Sequence, residues 1–283
     1  MNRRCQWRCS IVQCVGMAVA AVMLMPGPGL GQQIAWERLS DGLMVSVWKP
    51  NHSCPTLPTM LVVDVDPERT RFSVHHYAQE GLTQPPKIGE WLHRTGHQLV
   101  FNAGLFRENF TYLGLLYQAG RSVGGHRHNL WKGLFVAEPT VKGIKNARIL
   151  DLASDLFDEG RPVYGEAAQA LMLLDQSGKI RVRDSGKYAY QTIVAETERG
   201  HILVFKSLGV VPLFDIGRCF KEALPTVRRA MAMDGGSSSD LRIVDSLWEK
   251  DLQSQEGDSW KSLFNGSTSF HIPLPTVIGV SPR

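Results

Sequence analysis

Apolar residues come in short runs along this chain, closed by glycine, proline, aspartate or asparagine, the pattern of strands joined by turns. Residues 43–48 (Leu-Met-Val-Ser-Val-Trp) predict a strand, as do 59–65, closed by Asp66-Pro67, and the alternating segment 72–77. Residues 87–96 have the mix of a short helix and lead into a strand at 98–101. Further strands are predicted at 134–137, 170–174, 180–182, 192–196 and 201–206, with Asp175-Gln176-Ser177-Gly178 as a hairpin turn. Residues 213–224 predict a helix stopped by Pro225, and the Pro/Thr-rich stretch 51–59 reads as a surface loop within one domain. Many short strands with a few interspersed helices predict an α+β domain, its strands in a mixed sheet with a few packed helices.

The N-terminus breaks this pattern. Arg3, Arg4 and Arg8 precede an apolar run from Ile11 to Met25, and Pro26-Gly27-Pro28-Gly29-Leu30-Gly31 supplies breakers and small residues. That is the anatomy of a secretory signal over residues 1–31, leaving a domain at 32–283; a retained anchor is the alternative. The run is shorter than the roughly 20 residues of a spanning helix. Of five cysteines, Cys5, Cys9 and Cys14 fall in the signal, leaving Cys54 and Cys219, which an oxidising compartment would allow to pair. The net charge is +4, and three arginines of the signal carry much of it. A near-neutral mature chain argues against a nucleic-acid partner.

Two segments carry candidate chemistry. Met231-Ala232-Met233-Asp234-Gly235-Gly236-Ser237-Ser238-Ser239-Asp240-Leu241 is an apolar run ending in a carboxylate, two glycines and three hydroxyls. Glycines leave room for a ligand to approach the backbone, and successive amides with serine hydroxyls suit an anion. The same residues also suit a strand, a tight turn and a helix cap with no ligand at all. In Phe101-Asn102-Ala103-Gly104-Leu105-Phe106 a strand again runs into a small-residue turn. Asn102 suits a sugar hydroxyl and Phe106 a sugar face; the alternative is an asparagine that bonds its own backbone and a core phenylalanine.

In this order the two segments resemble the phosphodiester glycosidase family (N-acetylglucosamine-1-phosphodiester α-N-acetylglucosaminidase-like), which has bacterial periplasmic members. The resemblance rests on Asn102-Ala103-Gly104-Leu105-Phe106, then Gly114-Leu115 and Ala119-Gly120. It continues in Asn129-Leu130-Trp131-Lys132-Gly133-Leu134-Phe135, in the strand and helix of 201–224, and in residues 230–238 with Asp234-Gly235-Gly236. It spans about 99–241. Two positions depart from the family pattern. Where bacterial members read Ala-Thr-Gln-Ser-Gly-Pro-Met-Leu, this chain has Ala167-Ala168-Gln169-Ala170-Leu171-Met172-Leu173; where they have arginine before threonine, it has Gln191-Thr192. Replacing a charge-assisted phosphate contact by a neutral one costs about 1.5–3 kcal/mol of affinity. Lys187 and Arg107 are candidates to compensate.

The resemblance implies hydrolysis of a sugar-1-phosphodiester at the anomeric carbon, on a substrate of the N-acetylglucosamine-1-phosphate type or a related envelope or exopolysaccharide glycan. Phosphate is a good leaving group, so the reaction needs a carboxylate near that carbon and donors for the phosphate. Asp234 is the expected carboxylate, with Gly235, Gly236, Ser237 and Ser238 around the anion. Asn102, Gly104 and Phe106 would hold the sugar, and Gln169, Gln191 and Thr192 would line the pocket. No cofactor is implied. His126-x-His128 lacks a third ligand at a telling spacing, so no metal is expected. Ser237 lies in no Gly-x-Ser-x-Gly elbow. A non-catalytic periplasmic module that binds glycan or glycan phosphate is the alternative, and Gln191 favours it. Export with cleavage near residue 31 predicts a mature chain beginning at Gln32 or Gln33; N-terminal sequencing of exported material that returned Met1 would refute it.

Overall fold

The computed structural model describes residues 34–50, 54–251, 255–266 and 271–283. The expected signal segment lies outside them. The strands are β1 (Glu37–Ser40), β2 (Leu43–Trp48), β3 (Met60–Val65), β4 (Thr70–His76) and β5 (Leu99–Asn102). Next come β6 (Leu116–Gln118), β7 (Arg121–Ser122), β8 (Gly133–Pro139), β9 (Ala147–Asp151) and β10 (Tyr164–Leu174). The last are β11 (Thr192–Thr197), β12 (Ile202–Ser207), β13 (Val227–Ala232), β14 (Leu241–Ile243) and β15 (Thr276–Pro282). Helices α1 (Ile88–Thr95), α2 (Leu213–Ala223), α3 (Asp245–Asp251) and α4 (Gln255–Asn265) complete the chain.

The strands form two sheets. The larger runs β1-β2-β3-β12-β11-β13-β10-β6-β7, with β8 and β9 branching from β10; the smaller runs β14-β5-β15-β4. This is the expected α+β class. The expected mixed sheet resolves into antiparallel pairing at every registered ladder among the described strands. Hairpins account for β1–β2, β6–β7, β8–β9 and β11–β12, and hairpins make antiparallel pairs.

Side-chain alternation explains the layering. On β3, β11, β12 and β13, Val63, Val194, Val204 and Met231 face the core shared with the small sheet. Their neighbours Val62, Ile193, Phe205 and Ala232 face α2 through Ile216 and Phe220. The small sheet alternates too: Phe101 and Ile278 enter the shared core, whereas Val100 and Val277 meet Trp91 and Leu92 of α1. The order of layers is therefore α1, small sheet, large sheet, α2. Strands covered on both faces read as unbroken apolar runs, which is why 59–65, 192–196 and 201–206 were legible.

Several elements differ from expectation. The strand expected at 180–182 reduces to a single bridge, Leu174 to Ile180, because Arg181 turns its guanidinium to Asp151 (2.8 Å) and Asp175 (3.2 Å). The strand expected at 170–174 is the end of β10, eleven residues long; its first half is small and polar, and packing holds it in place. In the loop expected to lie on the surface at 51–59, Cys54 and Leu57 are buried, and Cys54 is bridged to Cys219 of α2 with Cα atoms 5.4 Å apart.

That bridge closes a loop of 165 residues. A crosslink of this span restricts the unfolded chain, so replacing both cysteines should lower stability by about 2–5 kcal/mol. Urea unfolding of Cys54→Ser/Cys219→Ser against wild type measures this, and equal midpoints would show that the bridge contributes nothing.

Candidate functional site

Asp234 stands two residues past the end of β13, where the chain leaves the large sheet and crosses to β14 of the small one. The ladder hands over there. Met233 still donates its amide to Thr192 O of β11 (2.9 Å), whereas Asp234 donates to Ala103 O beyond β5 (3.0 Å).

Asn102, the last residue of β5, holds this crossing. Its side-chain amide donates to Asp234 O (2.8 Å) and Ala103 O (3.1 Å), and its Oδ1 accepts from the Asp240 amide (3.0 Å). The structure thus brings together two residues 132 apart in sequence. It does so through the backbone of Asp234, and buried Asn102 is spent on the loop, not turned toward a ligand.

The Asp234 carboxyl is half-buried and its pKa is raised to about 6. Burial is the main cause, because a low-dielectric surrounding disfavours the charge. Hydrogen bonds from the Ser238 hydroxyl and the Gly235 amide pull the value partly back. The two glycines answer different needs. A Cβ on Gly235 would lie 2.9 Å from both Gln191 Oε1 and Tyr190 O. Gly236 takes φ +66°, a conformation that side chains disfavour, and donates its amide to Tyr190 O (2.8 Å). Both amides expected at an anion are therefore occupied inside the loop. Of the expected anion donors, Ser238 is turned to Asp234 and Ser237 is exposed.

The remaining expected residues form the surrounding wall. Gly104 donates its amide to the Tyr112 hydroxyl (3.1 Å), which donates to Gln169 O (2.8 Å). A Cβ on Gly104 would come within 2.6 Å of that same carbonyl. Buried Gln169 accepts the Leu115 and His128 amides (2.9 Å each) and donates to His128 O (2.9 Å) and Trp131 O (2.5 Å). It therefore fastens two loops and lines no open pocket. Burial, with the nearby Asp234 charge, pushes the Tyr112 hydroxyl above its ordinary range and keeps it a donor. Phe106 is half-buried near Phe110, at a centroid distance of 6.3 Å. Gln191 donates from Nε2 to Val211 O (3.2 Å), and the Thr192 hydroxyl meets Ser239 Oγ (2.9 Å).

Sequence reasoning missed the charges behind the loop. Lys206 of β12 and Asp240 are both buried and pair at 2.9 Å, and His271 Nδ1 lies 2.5 Å from the other oxygen of Asp240. A lysine ending the apolar strand 201–206 was a signal for Lys206; nothing in the sequence pointed to His271. His128 stacks on Trp131 (3.9 Å) and its Nδ1 accepts backbone amides, so it is not paired with His126. No cluster of three or more metal-ligating side chains occurs among the described residues, and none of their helices is long and apolar enough to cross a membrane. Surface clefts beside α2 and between Asp41 and His201 share no residue with the Asp234 loop.

The fold is similar to that of a solved glycosidase domain. It matches the catalytic domain of zebrafish N-acetylglucosamine-1-phosphodiester α-N-acetylglucosaminidase, auto-inhibited by its pro-peptide, at TM-score 0.59 and 14% identity, covering 89% of this chain and 87% of that one. A hypothetical protein from Synechocystis also matches at TM-score 0.59, with 13% identity over 89% of this chain, which spans 64% of that protein's length. No family profile and no curated protein matches the sequence.

A carboxylate raised from 3.8 to about 6 has a sign for stability. The folded state holds the proton more tightly, so the contribution is favourable below about pH 4 and is lost as pH rises through 6. Asp234→Asn should therefore stabilise the protein by about 1–3 kcal/mol at pH 7.5, with the gain fading below pH 4. Thermal unfolding at both pH values measures it; a destabilised variant at pH 7.5 would contradict the burial account.

Proposed function

We propose that this chain is an exported hydrolase of sugar-1-phosphodiesters, cleaving at the anomeric carbon, with Asp234 as the carboxylate at the reacting centre. One observation carries the reading: a half-buried carboxylate with a raised pKa, at the seam between two sheets, in a fold that matches a glycosidase catalytic domain. The substrate class is an N-acetylglucosamine-1-phosphate type diester or a related envelope or exopolysaccharide glycan. The carboxylate stabilises positive charge as the C1–O bond breaks, and the phosphate leaves without strong acid assistance. Ser237 and Lys187 supply donors to the phosphate. Lys187 lies on the exposed loop whose Tyr190 carbonyl binds Gly236.

The second reading, a periplasmic module that binds glycan phosphate without turnover, is favoured by one feature. Gln191 bears no charge and is tied to Val211, and the two glycine amides are occupied, so few fixed donors remain for a phosphate.

Purified protein assayed on N-acetylglucosamine-1-phosphodiesters separates the two. Asp234→Asn should lower sugar release about a thousandfold while calorimetric affinity changes little, because asparagine keeps the shape and loses the charge. Gln191→Arg should raise phosphodiester affinity. Binding without turnover in wild type, unchanged by Gln191→Arg, would establish the binding module; turnover untouched by Asp234→Asn would remove Asp234 from catalysis.

A further inference from the structure

The Asn102 amide has two sides. On one it holds the backbone of Asp234; on the other its Oδ1 holds the amide of Asp240. One side-chain amide thus joins the backbone carbonyl of Asp234 to the backbone amide of Asp240. Asp240 Oδ1 accepts from the Lys206 ammonium (2.9 Å) and the Leu241 amide (2.9 Å). Its Oδ2 faces His271 Nδ1 at 2.5 Å.

With Lys206 and the Leu241 amide donating to its other oxygen, Asp240 is placed as the acceptor of this contact, which assigns the hydrogen to Nδ1 and the lone pair to Nε2 in the neutral ring. The His271 side chain is 23% exposed, against 4% for Asp240. No partner for Nε2 is recorded among the described residues. A histidine whose inner nitrogen is fixed by a buried carboxylate, while its outer nitrogen stays open, has the arrangement of a general base. The charged groups recorded against it are Asp240 directly and Lys206 through Asp240.

We propose that His271 is the proton-accepting group of this site, with Asp240 and Lys206 as its positioning residues. The inference rests on the hydrolase reading and adds the group that reading lacked. Water bonds through its oxygen to C1 and gives a proton to His271 Nε2. The C1–O bond breaks with its electron pair on the phosphate oxygen, releasing a phosphate monoester. The imidazolium then returns the proton to solvent, and Asp234 stabilises positive charge at C1 throughout.

The test combines kinetics with NMR on the full mature chain, using an N-acetylglucosamine-1-phosphodiester as substrate. His271→Gln should lower kcat about a hundredfold or more, with KM changed by less than about threefold. The acidic limb of kcat/KM should fall with a slope of two protons in wild type, from Asp234 and His271, and of one in His271→Gln. Added imidazole should restore part of the rate to His271→Ala, which a purely structural role would not allow. Undiminished kcat in His271→Gln, or a one-proton limb in both proteins, would overturn the proposal and leave the hydrolase reading standing. Absence of turnover in wild type overturns both the hydrolase reading and the proton-accepting role. A shift of the His271 ring resonances on adding N-acetylglucosamine-1-phosphate then leaves His271 as a ligand-binding residue only, and no shift removes it from the site altogether.

Discussion

A single buried carboxamide holds the junction on which this structure depends. Asn102 closes a strand of the small sheet, yet its three side-chain hydrogen bonds are made to backbone groups, two of them in the segment that leaves the large sheet. Left unpaired, those buried amides and carbonyls would each cost about 1–3 kcal/mol. Paired, they fix the path of residues 234–240 and hence the positions of Asp234 and Asp240. The carboxamide acts on the two side chains only through the loop it shapes.

The two sheets are joined a second time at an edge. Strand β4 ends the small sheet, and its outward amides at Phe72, Val74 and His76 donate to Glu138, Glu166 and Gln118 side chains of the large sheet. An open edge is a template for aggregation, and here acceptor side chains cover it in place of another strand. Glu166 is buried enough to have its pKa raised to about 7, with burial as the main cause and the Val74 and Ala119 amides opposing it. The sheets are thus sutured by polar groups at the rim and by Val63, Phe72, Phe135 and Ile278 within.

At the loop itself, folding and chemistry make different demands. Gly235 is required because Tyr190 and Gln191 pack against it too closely for a side chain, Gly236 because the chain takes a positive φ there, and both amides serve the loop. Among the described residues Asp234 has no ion pair, whereas Asp240, six residues on, holds Lys206 and His271. One loop therefore holds a carboxylate destabilised by burial and another in contact with a lysine and a histidine.

Local pattern alone determined the strands covered on both faces, helices α1 and α2, and the turn at Asp234, because continuous apolar runs, helical spacing and Gly-Gly each carry their reason in the sequence. Strands β6, β7, β9 and β14 are short or polar and exist because a neighbouring ladder accepts their hydrogen bonds, which no local pattern records. The nearness of Asn102 to Asp234 followed from resemblance, but what each atom of Asn102 does was decided by burial. Gln169 was expected in a pocket wall and became a clamp because two loops bring four backbone groups to it. Lys206, Asp240 and His271 come from three separate segments, and their meeting was decided by the packing of one sheet on the other. Sequence sets which residues can ionise; only the tertiary structure sets which of them share a proton.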